Sequence, residues 1–270
     1  MAMLHDDRVL FVYLDGTVYR PVETVTAARQ VPLTVVIPIH EIGFLDEVLR
    51  SLILQKYDKW KILLVCSDPA IQHFVFESAA SYQLNLPKIE VFVLKEKGWL
   101  SDALNAALHH VSTAYWCRLD SDDLLHPMAL QVVSARIQQH EPDYLYSARF
   151  IMDRVLYVHP IVVGDVVDSP HLVWSGKTFP YSHLMTYKTE AVASIGGFKS
   201  FDRFPNDAGW IAAYEMLIAG KRFHYINGAL YYWRSWQSAS HKEKTAAADY
   251  RRGLILGHWP DRYVEDYSSR

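Results

Sequence analysis

The sequence predicts an α/β protein with a mostly parallel central sheet flanked by helices. Three observations predict it. Short apolar runs rich in β-branched residues alternate with stretches that carry apolar residues at helical spacing. The runs are apolar throughout rather than alternating, as strands covered on both faces are. And three of them end in polar groups, "PIHE", "CSDPA" and "DSDD", at the strand ends where open α/β sheets bind ligands.

Taken in order, residues 1–30 precede the sheet and form an extension with its own hairpin, "VLFVYLDGTVYR", turning at Asp15–Gly16. "LTVVIPI" (33–39) is a buried strand stopped near Pro38, and "FLDEVLRSLILQ" is a helix with Phe44, Leu45, Val48, Leu49, Leu52 and Ile53 on one face. "KILLVC" (61–66) and "IEVFVL" (89–94) are the next two strands, with "SDPA" ending the first. "SDALNAALHHV" is a helix with Ser101 as its expected cap, and "AYWCRL" (114–119) is the fourth strand. After about residue 140 the rhythm changes. "YLYSARFIMDRVLYVHP" is an expected antiparallel hairpin turning near Asp153–Arg154, and "GDVVDSPHLVWSGKTFPYSHLMTY" has no period. "SIGGF" is a tight turn, because paired glycines permit positive φ. The helix "WIAAYEMLIAG", ended by Gly220, and the short strand "ALYYWR" follow. With no repeat and no Pro/Gly/Ser-rich linker, residues 31–240 read as one domain, its halves meeting near residue 140 (31–140 and 141–240), with 241–270 as a tail.

Composition narrows the function. A net charge of −3 makes no case for nucleic-acid binding through the bulk field. The two cysteines, Cys66 and Cys117, each sit inside an apolar run, which implies buried reduced thiols rather than a disulfide framework. No apolar run approaches the roughly 20 residues that span a bilayer, and the N-terminus lacks a secretory apolar region, so a cytoplasmic protein without a transmembrane segment is expected. Eight Trp and seventeen Tyr suit ring stacking and a thick aromatic core equally well.

"RLDSDDLLHP" (118–127) crowds Asp120, Asp122 and Asp123 against the end of an apolar strand. Oxygen-rich groups there suit a hard divalent cation, Mn²⁺ or Mg²⁺, shared with a substrate's phosphates. An EF-hand does not fit, because Leu124 occupies a ligand position and no glycine follows. The plain alternative is that Asp122 or Asp123 caps the helix of "PMALQVVSARIQ". The two readings are compatible.

"PLTVVIPIHEIGFLDEVLRSLILQKYDKWKILLV" and "KGWLSDALNAALHHVSTAYWCRLDSDDLLHP" together resemble the nucleotide-sugar half of family 2 glycosyltransferases. "YKTEAVASIGGF", a following acidic residue and "AGKRFHYINGALYYWR" resemble that family's acceptor half. The likeness covers about residues 31–240. It implies the glycosyltransferase A fold, with a Rossmann-like nucleotide-binding half and an acceptor half. It also implies transfer of a sugar, with inversion, from a nucleotide-sugar donor, UDP-linked, to a glycan or lipid-linked acceptor. A lipid-carried acceptor would bring weak peripheral membrane association. The family's Asp-x-Asp motif falls on Asp120-Ser121-Asp122. By that match Asp122 holds the metal, Asp120 faces the donor ribose and the metal shell, and Asp123 supports or caps. The carboxylate after "GGF" that takes the acceptor's proton falls on Asp207, with Asp202 and Glu215 as nearby acidic alternatives; a helix cap is the plain reading of Asp207. Pro38, His40, Ser67, Asp68 and Asp102, in the matched stretches, complete the expected donor set.

The departures are specific. Where the family has paired aspartates after the second strand, this chain has Cys66 and Ser67, with Asp68 one step on. Ile39-His40 stands for a Tyr-Asn pair, Asn206-Asp207 for Glu-Asp, and Glu215 for an expected Arg. Trp236 takes the place of a late His, leaving His241 as a metal or phosphate ligand. Such changes fit a divergent enzyme, or a catalytically inactive nucleotide- or glycan-binding relative. Two other classes fail on single features. "YLDGTVYR" looks like a dehalogenase-type phosphatase start but carries Tyr13 where the nucleophilic Asp belongs. A nucleotidyltransferase needs a Gly-rich phosphate loop, and "PIHEIGF" is not one. His109-His110 lies in a helix with no second ligand pair nearby and reads as surface.

Overall fold

The computed structural model of the chain describes residues 30–152, 183–199 and 208–234, with the backbone alone of short strands at 11–12, 18–19 and 158–163. In chain order the strands are β1 (Phe11–Val12), β2 (Val18–Tyr19), β3 (Leu33–Ile39), β4 (Trp60–Cys66), β5 (Ile89–Val93), β6 (Tyr115–Arg118), β7 (Leu124–Leu125), β8 (Tyr144–Met152), β9 (Val158–Val163), β10 (Thr186–Lys188) and β11 (Phe223–Arg234). The helices are α1 (Leu45–Ile53), α2 (Gln72–Tyr82), α3 (Leu100–His110), α4 (Ala129–His140), α5 (Thr189–Ser194) and α6 (Ala208–Ile218).

Among the described residues, nine strands form one sheet in the order β5-β4-β3-β6-β10-β8-β11-β7, with β9 paired to β8. β5, β4, β3 and β6 run parallel. Beyond them the sheet is mixed: β10 is antiparallel to β6 and β8, β11 is parallel to β8, and β7 is antiparallel to β11. β1 and β2 pair antiparallel apart from it, Phe11 opposite Tyr19; the turn expected at Asp15–Gly16 lies outside the described residues.

β3 is the centre because every one of its seven residues is buried. Its alternation divides them between two layers. Val35, Ile37 and Ile39 pack with Leu45, Leu49 and Leu52 of α1 and with Leu130 and Val133 of α4. Val36 faces the other way, into a layer that holds Ala103 and Leu104 of α3, Val192 of α5 and Met216 of α6. Cys66 and Cys117 are buried free thiols, as expected.

The register at β3 creates the site. β4 stays paired with β3 to the pair Ile39↔Cys66, but β6 leaves it after Val36↔Arg118. The last bond toward β6 is Leu119 N–H to the Val36 carbonyl, 2.9 Å. Side-by-side bonds alternate along a strand, so the imide nitrogen of Pro38 faces the side β6 has vacated, where no N–H is required. The chain past β6 turns into this gap with its acidic cluster.

Four expectations are corrected. α2 lies between β4 and β5, where the sequence reading has no helix; Val75 and Ala79 are its buried residues while Phe74 and Phe76 are 42% and 48% exposed, so no apolar stripe marks it. Ser101 does not cap α3. The cap position is Trp99 and the helix starts at Leu100, two residues earlier than expected; Asp102 reaches back to the Trp99 N–H at 2.7 Å, leaving Ser101 buried. Neither Asp122 nor Asp123 caps α4, which begins at Ala129 after the two-residue strand β7. And "ALYYWR" is the second half of a twelve-residue strand, β11.

A candidate donor and metal site

Asp120 stands two residues past the end of β6 and takes a charge-assisted bond from Arg118, Nε to Oδ1 at 2.6 Å. Burial works against the Arg118 charge, but the Asp120 carboxylate outweighs it, so the guanidinium is held above its ordinary range. Asp123 is 1% exposed and is served by β11. Its Oδ1 accepts the Arg234 N–H and its Oδ2 the Tyr231 hydroxyl, each at 2.8 Å. The same hydroxyl accepts the Asp120 N–H at 3.1 Å, so one tyrosine bridges two members of the cluster. Burial pushes the Asp123 carboxyl well above the carboxylate range, with the charges of Asp122 and Asp120 adding to it. For Asp122, burial first, then Asp120, push the carboxyl up to about 6, with Glu41 adding to the rise and its own main-chain N–H and His40 opposing it.

Carboxylate oxygens of Asp120 and Asp123 and a ring nitrogen of His183 lie within 4.8 Å of one another. His183 precedes β10; its Nδ1 accepts from Arg149 Nη1 at 3.0 Å, and its ring lies 4.8 Å from that of Tyr231. Burial, reinforced by Arg149 and Arg118, holds the imidazole well below its usual value, hence neutral; its one lone pair is on the Nδ1 that meets Arg149, so the ring would ligate a cation by releasing Arg149. Two carboxylates and one imidazole converging in this way fit Mn²⁺ or Mg²⁺. Asp122, expected as the main ligand, stands outside this set of three.

Arg234 closes the site from behind. Its guanidinium is buried over the Phe44 ring, 4.3 Å from its centroid, and donates to Glu47 of α1. On the other side, at the ends of β4 and β5, Asp68 caps a short 3₁₀ turn through the Ala70 N–H (3.0 Å) and pairs with Lys97 Nζ at 2.7 Å. These two bonds, Lys97 first, hold its carboxyl below the usual range. Ser67 is buried, and its hydroxyl donates to the Ile39 carbonyl at 3.0 Å, tying β4 to β3. The Gly98 N–H returns to the Ser67 carbonyl at 2.9 Å, which brings Trp99, 60% exposed, to the same rim as Asp102. His40 is exposed beside Glu41, and Pro38 lies in the strand beneath.

The structure thus brings Pro38, His40, Ser67, Asp68, Asp102, Asp120 and Asp122 to one end of the sheet. Asp207 and His241, with Asp202, Asn206 and Trp236, lie outside the described residues. Glu215 pairs with Lys199 at 2.5 Å. A cleft of about 750 Å³ lined by Asn105, His109, Lys188, Glu190 and Gly197 includes none of Asp68, Asp120, Asp122 and Asp123, and the site belongs with those aspartates. His183, Tyr231 and Arg234 escaped sequence reasoning because they arrive from distant strands with no local pattern. Arg118 did carry a signal: a cation ending an otherwise apolar strand must have a partner.

A family model described as Glycosyl transferase family 2 matches residues 34–207 of this chain. An uncharacterised protein of Sinorhizobium fredii is 27% identical over 243 residues, 84% of this chain and 25% of its own length. The chain therefore spans about a quarter of that relative. Among solved structures, S. aureus TarS 1-349 in complex with UDP-GlcNAc aligns with a TM-score of 0.57 at 18% identity, covering 75% of this chain and 58% of that one. The mannosyltransferase PcManGT from Pyrobaculum calidifontis, in complex with GDP-Man and Mn²⁺, aligns with a TM-score of 0.58 at 17% identity, covering 79% and 59%. At these identities the two structures speak to the fold.

Proposed function

Since this chain belongs to glycosyl transferase family 2, we propose that it transfers a sugar, with inversion, from a nucleotide-sugar, UDP-linked, to a glycan or lipid-linked acceptor. The observation that carries the reading is the convergence of Asp120, Asp123 and His183 in the gap where β3 outruns β6. Asp120, Asp123 and His183 would hold a divalent cation, with Asp122 at its edge. Bound there, the cation supplies Lewis-acid neutralisation of the departing diphosphate. A solved relative of this fold with Mn²⁺ and a nucleotide sugar supports the choice of metal.

The chain's own groups do the rest. Asp68, held ionised by Lys97, accepts hydrogen bonds from the nucleobase, and Trp99 offers its exposed indole as a stacking face. Asp207 accepts the proton of the acceptor hydroxyl as its oxygen bonds to the anomeric carbon, and the bond to the diphosphate oxygen breaks with its electron pair leaving on the nucleotide. His241 is a candidate late ligand for phosphate. The same proposal includes a cytoplasmic setting; no described helix is long and apolar enough to cross a membrane.

Calorimetry with UDP and GDP, each with Mn²⁺ and with a chelator, tests the donor site. Tight binding of UDP only with Mn²⁺ is the expected result; equal binding with chelator ends the metal role. Turnover separates enzyme from binder: Asp207→Asn should keep UDP binding and lose ~10²–10⁴-fold in transfer rate. Full turnover by that variant moves the base elsewhere. Donor binding by the wild type without turnover on any acceptor supports the inactive binder.

A further inference from the structure

We propose that Arg118 is a positioning residue joining the donor side to the acceptor side, and that residue 209 is glycine because the Arg118 guanidinium fills the space a side chain would take. The inference rests on the reading of Asp120 as part of a nucleotide-sugar site. Arg118 ends β6, and its side chain is 12% exposed. One edge of its guanidinium fixes Asp120, Nε to Oδ1 at 2.6 Å. The other edge lies against the first turn of α6. A Cβ on Gly209 would fall 2.7 Å from Arg118 Nη1, 3.0 Å from Met185 Sδ and 3.3 Å from the Tyr187 hydroxyl.

Backbone freedom does not explain this glycine. Its φ is not positive, unlike those of Gly196, Gly197 and Gly220, and it lies within the eleven-residue helix Ala208–Ile218. Glycine gives up more backbone freedom on folding than any other residue, so something must offset that cost. Close approach does. Met185 and Tyr187 belong to β10, are 5% and 0% exposed, and hold each other through a 3.2 Å bond from the Tyr187 hydroxyl to Met185 Sδ. They have little room to yield. The group that can move is the Arg118 head, and moving it draws Nε away from Asp120. A methyl group on an acceptor-side helix would therefore disturb a donor-side carboxylate.

The consequence is unusual enough to test directly. Gly209→Ala should remain folded at 25 °C but melt below the wild type, since Met185 and Tyr187 hardly yield and the Arg118–Asp120 bond is disturbed. UDP affinity with Mn²⁺, measured by calorimetry, should fall about 10–100-fold, the loss expected when a charge-assisted hydrogen bond is broken. Arg118→Lys combined with Gly209→Ala should bind UDP more tightly than Gly209→Ala alone, because an ammonium reaches Asp120 without a broad head to collide with the new methyl. Unchanged UDP affinity in Gly209→Ala, or no recovery in the double variant, overturns the proposal. A crystal structure of Gly209→Ala decides the linkage itself, since an intact Arg118–Asp120 bond refutes it even if the wild type binds no nucleotide. Wild-type failure to bind UDP or GDP with Mn²⁺ would instead count against the donor-site reading.

Discussion

Asp120, Asp122 and Asp123 coexist because each has a different electrostatic answer. Asp120 has the charge of Arg118, and Asp123 has two neutral donors from β11. Asp122 has neither, and its carboxyl is pushed up to about 6 by burial and by Asp120. A carboxyl raised on folding binds its proton more tightly in the folded chain, so stability is lost as pH rises toward and through about 6. Asp122→Asn removes that loss. Without metal, its melting temperature should exceed the wild type's at about pH 7.5, by roughly 2–4 °C per kcal/mol of relieved repulsion, and the gap should narrow with acid and close below about pH 3.8. A gap that widens toward acid would show that Asp122 is stabilised as the anion. The acidic trio was legible in the sequence because charges crowded after a buried strand need partners, a cation or a helix terminus to offset them. Their partners were not: Arg234 lies 111 positions from Asp123, and nothing local announces the pairing.

At the scale of elements, the turn after α5 illustrates what sequence patterns can and cannot give. Gly196 and Gly197 have φ values of +85° and +83°, so the glycine pair of "SIGGF" is needed as expected. Their surroundings differ. Nothing approaches a Cβ at Gly196, whereas one at Gly197 would lie 2.5 Å from Asn105 Oδ1. Asn105 of α3 clamps the turn, accepting the Phe198 N–H and donating to the Phe198 carbonyl, both at 2.8 Å. Gly196→Ala should cost the left-handed strain alone, ~1–2 kcal/mol. Gly197→Ala should cost that and a further ~1–3 kcal/mol for the displaced clamp. Urea unfolding of both variants measures the difference; equal losses would mean that Asn105 yields freely. α2 stayed hidden for a related reason. Its apolar residues are consecutive rather than at helical spacing, and two of its phenylalanines are half exposed.

For the molecule as a whole, the parallel strands β5, β4, β3 and β6 could be read in order, because parallel strands buried on both faces write themselves as continuous apolar runs. The mixed part could not. β10 is three residues long, and β11 reaches β8 across an irregular register that shifts at Ile226/Ala229 and again at Ala229/Tyr231. That part supplies Tyr231, Arg234 and His183, so both halves of the sheet are needed for one site. Binding at such a junction should stabilise the whole chain. With UDP and Mn²⁺ at a hundred times the dissociation constant, folding gains ~2.7 kcal/mol, or roughly 5–10 °C in melting temperature. UDP with a chelator should give little of it, and an equal shift without metal would contradict the site's assembly around a cation.

The bond from the Arg234 N–H to Asp123 also sets a timetable for synthesis. A chain leaves the ribosome from its amino end, so β3 to β6 emerge well before residue 234. At about 5–20 residues per second, 111 residues take roughly 6–20 s. Throughout that interval the nascent chain carries its carboxylates without the tyrosine hydroxyl and main-chain N–H that later satisfy Asp123. The growing polypeptide therefore cannot assemble the site until β11 has been translated.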